Sequence, residues 1–225
     1  MLAPARDRAP AAPASSSRRL TRNDLSLGPA ELAQFLIGRR LVRVLPSGER
    51  LSGLIVETEA YLGVPDRAAH SYGGRRTPRT EPMFGPPGTA YVYFTYGMHH
   101  CMNVAAAPEG DPVAVLLRAL EPQEGLETMA RHRAGKPGKG GRAPAMRPED
   151  LCSGPGKLCQ ALAVDRSFSG VDLTTSPDLF LEEGAGPTPP ERLVNTPRIG
   201  VAYAGEWAAM PLRWYLEGSP HVSRP

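Results

Sequence analysis

The chain has 225 residues, 41% hydrophobic and 22% charged, a balance that suits one compact domain with a sizeable core rather than a disordered or membrane-bound chain. No apolar run approaches the roughly 18 residues of a membrane helix and no secretory signal opens the chain, so a cytoplasmic site of action is expected. Three cysteines without a CxxC pair indicate neither a disulfide framework nor a zinc cage, and a formal charge of +3 is too small to identify a polyanionic partner by itself.

In chain order, residues 1–22 are rich in Ala, Pro, Arg and Ser without an apolar repeat and read as a disordered tail, with the domain spanning 23–225. Leu25–Gly38 has helical spacing, with Pro29 suited to a first turn and Gly38 to a left-handed cap. Leu41–Tyr61 alternates around Pro46-Ser47-Gly48 as a β-hairpin. A long loop rich in Gly, Pro and Arg runs from Leu62 to Gly88, and connections of that length are usually functional. Ala90–Tyr96, Cys101–Ala106 and Val113–Leu120 read as strands. Glu124–Arg133 and Pro155–Ala163 read as helices, with a basic Gly/Pro segment near 134–148 between them expected to be mobile. Further strands are expected near Leu179–Leu181, Arg198–Ala202 and Leu212–Tyr215. The sum is an α+β fold, a single domain with a curved, largely antiparallel sheet flanked by helices.

Basic residues gather at Arg18-Arg19, Arg39-Arg40, Arg75-Arg76 with Arg79, and from Arg131 to Arg147, runs that on most proteins are solvated faces. Alternation along Ile55–Tyr61 puts Glu57, Glu59 and Tyr61 on one strand face at about 6.5 Å per pair of residues. Two carboxyl groups near this separation suit hydrolysis of a sugar bond, although acid-edged strands also occur on plain surfaces. Tyr91, Tyr93 and Tyr96 concentrate ring faces in a chain with 6% aromatics, as half-buried strand residues or as a stacking platform for a nucleobase. His70 lies in the loop after the acidic strand. Arg118, inside an apolar run, needs a carboxylate or phosphate partner, for which Glu59 or a DNA phosphate would serve. Cys152 and Cys159 read as packing thiols, and His99-His100-Cys101 lacks metal-ligand spacing, so neither a metal nor another cofactor is expected.

Several ordered blocks resemble the alkyladenine (3-methyladenine) DNA glycosylases of the mammalian type, found also in bacteria. They include Ile55–Gly63, Tyr91-Val92-Tyr93, Tyr96-Gly97-Met98, Cys101-Met102-Asn103, Leu117–Pro122, Leu151–Pro155 and Gly205-Glu206-Trp207. The resemblance runs from about Leu25 to Ser223. It implies a fold similar to the C-terminal domain of methionyl-tRNA formyltransferase. It also implies an enzyme acting on double-stranded DNA that contains damaged purines; no lysine sits in the motif that carries Glu59, so a monofunctional enzyme is expected, and a bacterial monomer. Glu59 would be the general base, with Arg118 and the main-chain carbonyl of Ile199 helping to hold the attacking water. Tyr61, His70 and Tyr93 would wall the base pocket, Asn103 would crowd the exocyclic amino group of normal guanine, and Tyr96 would wedge into the duplex. Arg75, Thr77, Met98 and Lys157 would lie along the DNA. His99 departs from the family's familiar tyrosine, and Arg79–Pro82 and Pro137–Pro148 also differ. Two rival readings are a nucleic-acid-binding module without catalysis, for which Glu59, Arg118 and Asn103 together would be superfluous, and a glycosidase working through Glu57 and Glu59, which the basic loops disfavour.

Overall fold

One long strand, β2 (Arg50–Tyr61), organises the sheet, and the computed structural model describes residues 17–135, 146–184 and 192–224. β1 (Arg40–Val44) turns into β2 at the expected hairpin, where Gly48 adopts the positive φ of 83°. β3 (Ala90–Thr95), β4 (His99–Ala105) and β5 (Ala114–Glu124) are antiparallel neighbours, and β5 runs along one edge of β2. The other edge is shared. β1 pairs with residues Arg50–Leu54 of β2, and β8 (Arg213–Leu216) pairs with Glu57–Glu59. β6 (Leu179–Glu182) lies outside β1 and β7 (Leu193–Thr196) outside β8, giving an open antiparallel sheet of eight strands among the described residues.

Helices cover one face. The stretch read as a single helix is divided: α1 (Arg22–Leu25) carries a Thr21–Asp24 capping box, and α2 (Pro29–Leu36) starts at its proline after Gly28. α2 buries Leu32, Ala33 and Leu36, and Gly38 at φ 83° turns the chain into β1. α3 (Leu126–Ala134) begins after Gly125, where a Cβ would come within 2.2 Å of Leu51, so only glycine fits that approach. α4 (Pro148–Leu151) and α5 (Pro155–Ala161) complete the layer. The core joins Leu32, Leu36, Ile55, Met102, Leu117, Leu120, Leu158 and both Cys152 and Cys159, which are packing thiols as expected. Each large side chain buried there contributes on the order of 1.5–3 kcal/mol.

Two further expectations change, and two segments lie outside the described residues. Packing begins before Arg22: Leu20 is buried, and Arg18 pairs with Asp24 at 2.8 Å and Glu183 at 2.9 Å, while residues 1–16 of the expected tail lie outside the described residues. The greater part of the expected mobile basic loop, 136–145, also lies outside them. Arg198–Ala202 is not a strand; the pairing segment comes earlier, as β7, and a 3-10 stretch at Ala202–Ala208 follows. Gly200 at φ 80° breaks the extended backbone there, and the Arg198 side chain turns inward to an acid.

Candidate active site

Directly opposed residues of antiparallel strands share a face. The register therefore sets Tyr91, Asn103, Leu116, Glu59 and Arg213 in one row across β3, β4, β5, β2 and β8. Alternation adds Tyr93, Cys101, Arg118, Tyr61 and Glu57 to the same face. A bulge tunes this arrangement. Ile55 opposes Leu120 and Glu57 opposes Ala119, leaving Val56 unpaired, and a compensating slip passes over Arg118 before Thr58 meets Leu117. The extra residue flips the parity of β2. Ile55 packs in the core, Thr58 donates to the Ala33 carbonyl of α2 at 2.9 Å, and Glu57 and Glu59 face the opposite side.

Glu59 is fully buried and held from three directions. Tyr61 donates its hydroxyl to Oε2 at 2.9 Å, the Ile199 N–H donates to Oε1 at 2.7 Å, and Arg118 Nη1 lies 3.1 Å from Oε1. Ile199 thus meets Glu59 through its amide. Arg118 takes both acids, reaching Glu57 through Nε at 2.8 Å. Burial alone lowers the Arg118 guanidinium, but the neighbouring Glu59 and Glu57 carboxylates outweigh it and the net shift is upward. Burial, followed by the Glu59 charge, pushes the Tyr61 phenol well up, so it remains a hydrogen-bond donor.

Above this centre is a cavity of about 180 Å³ lined by Tyr61, His70, Tyr91, Tyr93, Asn103, Arg118 and Ile199, with Tyr96 and Tyr203 at its mouth. His70 stands edge-on to Tyr93, with ring centroids 4.6 Å apart, and its Nδ1 lies 2.8 Å from the Tyr91 hydroxyl. Burial, then the positive charges of Arg79 and Arg75, push His70 down to about 4, which leaves the imidazole neutral near pH 7. Asn103 donates to the Tyr91 carbonyl at 3.1 Å. The loop that brings His70 here is pinned by a pair absent from the sequence reading. Asp66 receives Arg198 Nη1 at 2.5 Å and Nη2 at 2.9 Å with both side chains fully buried, and also accepts the Leu62 and Ala68 amides. The same arginine lies over the Tyr61 ring at 4.8 Å, and its successor in sequence is Ile199.

Two surfaces flank the cavity. The β3–β4 hairpin turns through Tyr96 (φ 51°) and Gly97 (φ 67°), with the Met98 N–H bonded to the Thr95 carbonyl at 3.2 Å. Positive φ at Tyr96 and Gly97 closes the turn between the paired residues Thr95 and His99, and tyrosine is a strained choice there, where Asn or Gly would be favoured. That tyrosine is 83% exposed, beside exposed Met98. On the other side, a cleft of about 260 Å³ is lined by Arg67, Tyr72, Arg75, Thr77, Arg79 and Tyr203 and shares Ala68, His70 and Tyr203 with the first cavity. Arg76 is paired with Glu81, whereas among the described residues Arg67, Arg75 and Arg79 have no carboxylate partner. Of the residues singled out in the sequence, Met98 lies on the hairpin tip outside the cavity wall, and Lys157 sits on α5 bonded to the Ser153 hydroxyl at 3.0 Å.

Fold and site together define an α+β domain with a buried carboxylate–guanidinium centre beneath an aromatic slot. The chain belongs to the methylpurine-DNA glycosylase family, whose sequence model matches residues 23–220. It is 53% identical over 192 residues to the DNA-3-methyladenine glycosylase of Homo sapiens, covering 85% of this chain and 63% of that protein. It is 52% identical over 194 residues to the Mus musculus protein of the same name, covering 85% and 57%. The chain therefore spans about six-tenths of the length of these mammalian relatives. A protein named putative 3-methyladenine DNA glycosylase from Desulfitobacterium hafniense is 45% identical over 206 residues, 92% of this chain and 98% of its own length. Relatives occur in mammals and in bacteria, so they do not support the expected bacterial source. Among the described residues no helix is long and apolar enough to cross a membrane.

Proposed function

We propose that this chain is a monofunctional DNA glycosylase of base-excision repair, which accepts an alkylated or deaminated purine flipped from duplex DNA and hydrolyses its N-glycosidic bond. The observation that carries the reading is Glu59, a fully buried carboxylate fixed by Arg118, Tyr61 and Ile199, all three of which line the aromatic slot. The base would lie between Tyr61 and the pair His70 and Tyr93, with stacking worth about 1–3 kcal/mol per base to offset extrusion. Glu59 takes a proton from a water that adds to C1′. The C1′–N bond breaks with its electron pair passing to the base, and an alkylated cationic purine leaves neutral. Positioned general-base catalysis of this kind contributes about 10²–10⁴-fold.

The flanking surfaces fit the same substrate. Tyr96, raised on a strained turn at the slot's mouth, is the wedge that fills the space left by the flipped nucleotide, with Met98 beside it on the duplex. The guanidinium groups of the Arg75 cleft, which have no carboxylate partner among the described residues, face the phosphodiester backbone with Thr77, and Lys157 on α5 is a separate contact to the DNA. Asn103 sits at the slot's inner wall, where it crowds the exocyclic amino group of normal guanine. His70, neutral near pH 7, offers the bound base a hydrogen bond. Among the described residues no lysine lines the slot, which supports hydrolysis without a Schiff base. The proposed form is a monomer without a cofactor.

The test uses duplexes each carrying one methylated purine, hypoxanthine or ethenoadenine, incubated with the protein and then treated with alkali. Strand breaks at the lesion, appearing only after alkali, are expected. Failure to cut at every lesion would overturn the proposal, and a borohydride-trapped covalent complex would contradict its monofunctional part.

A further inference from the structure

One group of buried charges beside Glu59 takes no part in the steps above. Glu57 is fully buried and accepts four hydrogen bonds from three segments of the chain. Arg118 Nε at 2.8 Å, Arg213 Nη1 at 2.8 Å and the Ser223 hydroxyl at 2.9 Å all reach Oε1, and the Ser223 N–H reaches Oε2 at 2.7 Å. The Ser223 hydroxyl also receives Arg118 Nη2 at 3.2 Å, and Arg213 Nη1 donates to the Arg224 carbonyl at 2.7 Å. One hydroxyl thus donates to Glu57 and accepts from Arg118, which uses its single proton and a lone pair. Two carboxylates and two guanidinium groups balance in charge, so the cluster tolerates burial as a set and not in part.

The consequence is geometric. The Arg118 fork is planar, and each of its three nitrogens has its own partner: Glu57 at Nε, Glu59 at Nη1 and Ser223 at Nη2. Fixing Nε and Nη2 fixes the plane, and with it the direction in which Nη1 points. The residue that closes this arrangement lies past residue 220, where the family match ends.

We infer that the segment His221–Arg224 is a latch that aims Arg118 at Glu59, with Ser223 and Glu57 as positioning residues for the reaction. The inference rests on the reading of Glu59 as the base. Without the Ser223 hydroxyl the fork loses its third anchor, Nη1 drifts from the carboxylate, and the water between Glu59 and C1′ is less well held. A segment that merely closed the fold would change thermal stability and leave the chemical step of the folded enzyme alone.

A double-mutant cycle separates these cases. Ser223→Ala is expected to lower the single-turnover excision rate at saturating enzyme about tenfold, the loss typical of one hydrogen bond to a charged group, with the Kd for a duplex carrying an uncleavable abasic analogue unchanged. In an Arg118→Lys background, whose ammonium cannot hold three partners in one plane, the same substitution should change the rate less than twofold. A Ser223→Ala rate within twofold of the parent overturns the inference, as does a tenfold loss that persists in the Arg118→Lys background. A second measurement needs neither DNA nor that background: by NMR the Arg118 Nη1–H that faces Glu59 should exchange with solvent at least tenfold faster in Ser223→Ala, and unchanged exchange likewise overturns the latch. A parent protein that excises no lesion would sink the glycosylase reading alone, since the exchange measurement still decides whether Ser223 positions Arg118.

Discussion

Replacing Arg198 by methionine removes the guanidinium that binds Asp66 through two nitrogens and also donates to the Ala60 carbonyl at 3.0 Å. The aliphatic stem is roughly kept, so the change isolates the charge. Asp66 would be left fully buried with only the Leu62 and Ala68 amides as partners. Breaking a buried pair from one side costs about 3–5 kcal/mol, because the remaining charge has neither water nor a counterion. For a domain of this size each kcal/mol moves Tm by about 2–4 °C, so thermal unfolding should show a drop of roughly 10 °C. The double variant Asp66→Asn, Arg198→Met should recover a good part of it, since no ion is then buried alone. A single variant melting within about 2 °C of the parent would refute the idea that this pair pins the loop carrying His70.

Other consequences follow from single residues. Tyr96→Asn relieves a positive-φ strain, so Tm should hold or rise slightly while excision from duplex DNA falls; loss of both together would mean the turn needs the tyrosine for folding. Arg75→Ala should weaken binding to damaged and undamaged duplexes alike and reduce the slope of log K against log salt by about 1; an unchanged slope would place Arg75 off the DNA. His70, ordinarily near 6.5, is held at about 4, so the folded protein binds fewer protons than the unfolded chain between those values. The stability tied to a neutral His70 is therefore complete above about pH 6.5 and is lost as pH falls toward 4, a loss of up to about 3 kcal/mol. His70→Gln should flatten that part of the Tm against pH curve, and an identical curve would contradict the assignment.

Much of the fold was legible because local rules governed it. Pro46-Ser47-Gly48 marked the β1–β2 hairpin, Pro29 marked the start of α2, and alternation from Glu57 to Tyr61 put two acids and a phenol on one face, as found. The need of Arg118 for a carboxylate was also legible, although the sequence left open whether Glu59 or a phosphate would supply it, and both Glu57 and Glu59 do. What escaped depends on long-range pairing. The Val56 bulge, which sends Ile55 to the core and Glu57 to the site, arises from register against β5 and has no local signature. Asp66 and Arg198 are separated by 132 residues, and Glu57 and Ser223 by 166, so nothing short of the folded chain brings them together. Arg198 itself offered one clue, an arginine among apolar neighbours, but the extended reading of Arg198–Ala202 pointed it nowhere.

The central claim is that one carboxylate activates water, and the most direct measurement is single-turnover excision by Glu59→Gln on a duplex with one methylated purine, alongside binding of that duplex. The side chain keeps its shape and loses its basicity. The account predicts a rate at least 100-fold below the parent with lesion binding retained. A Glu59→Gln protein that still releases the base at the parent rate would contradict it.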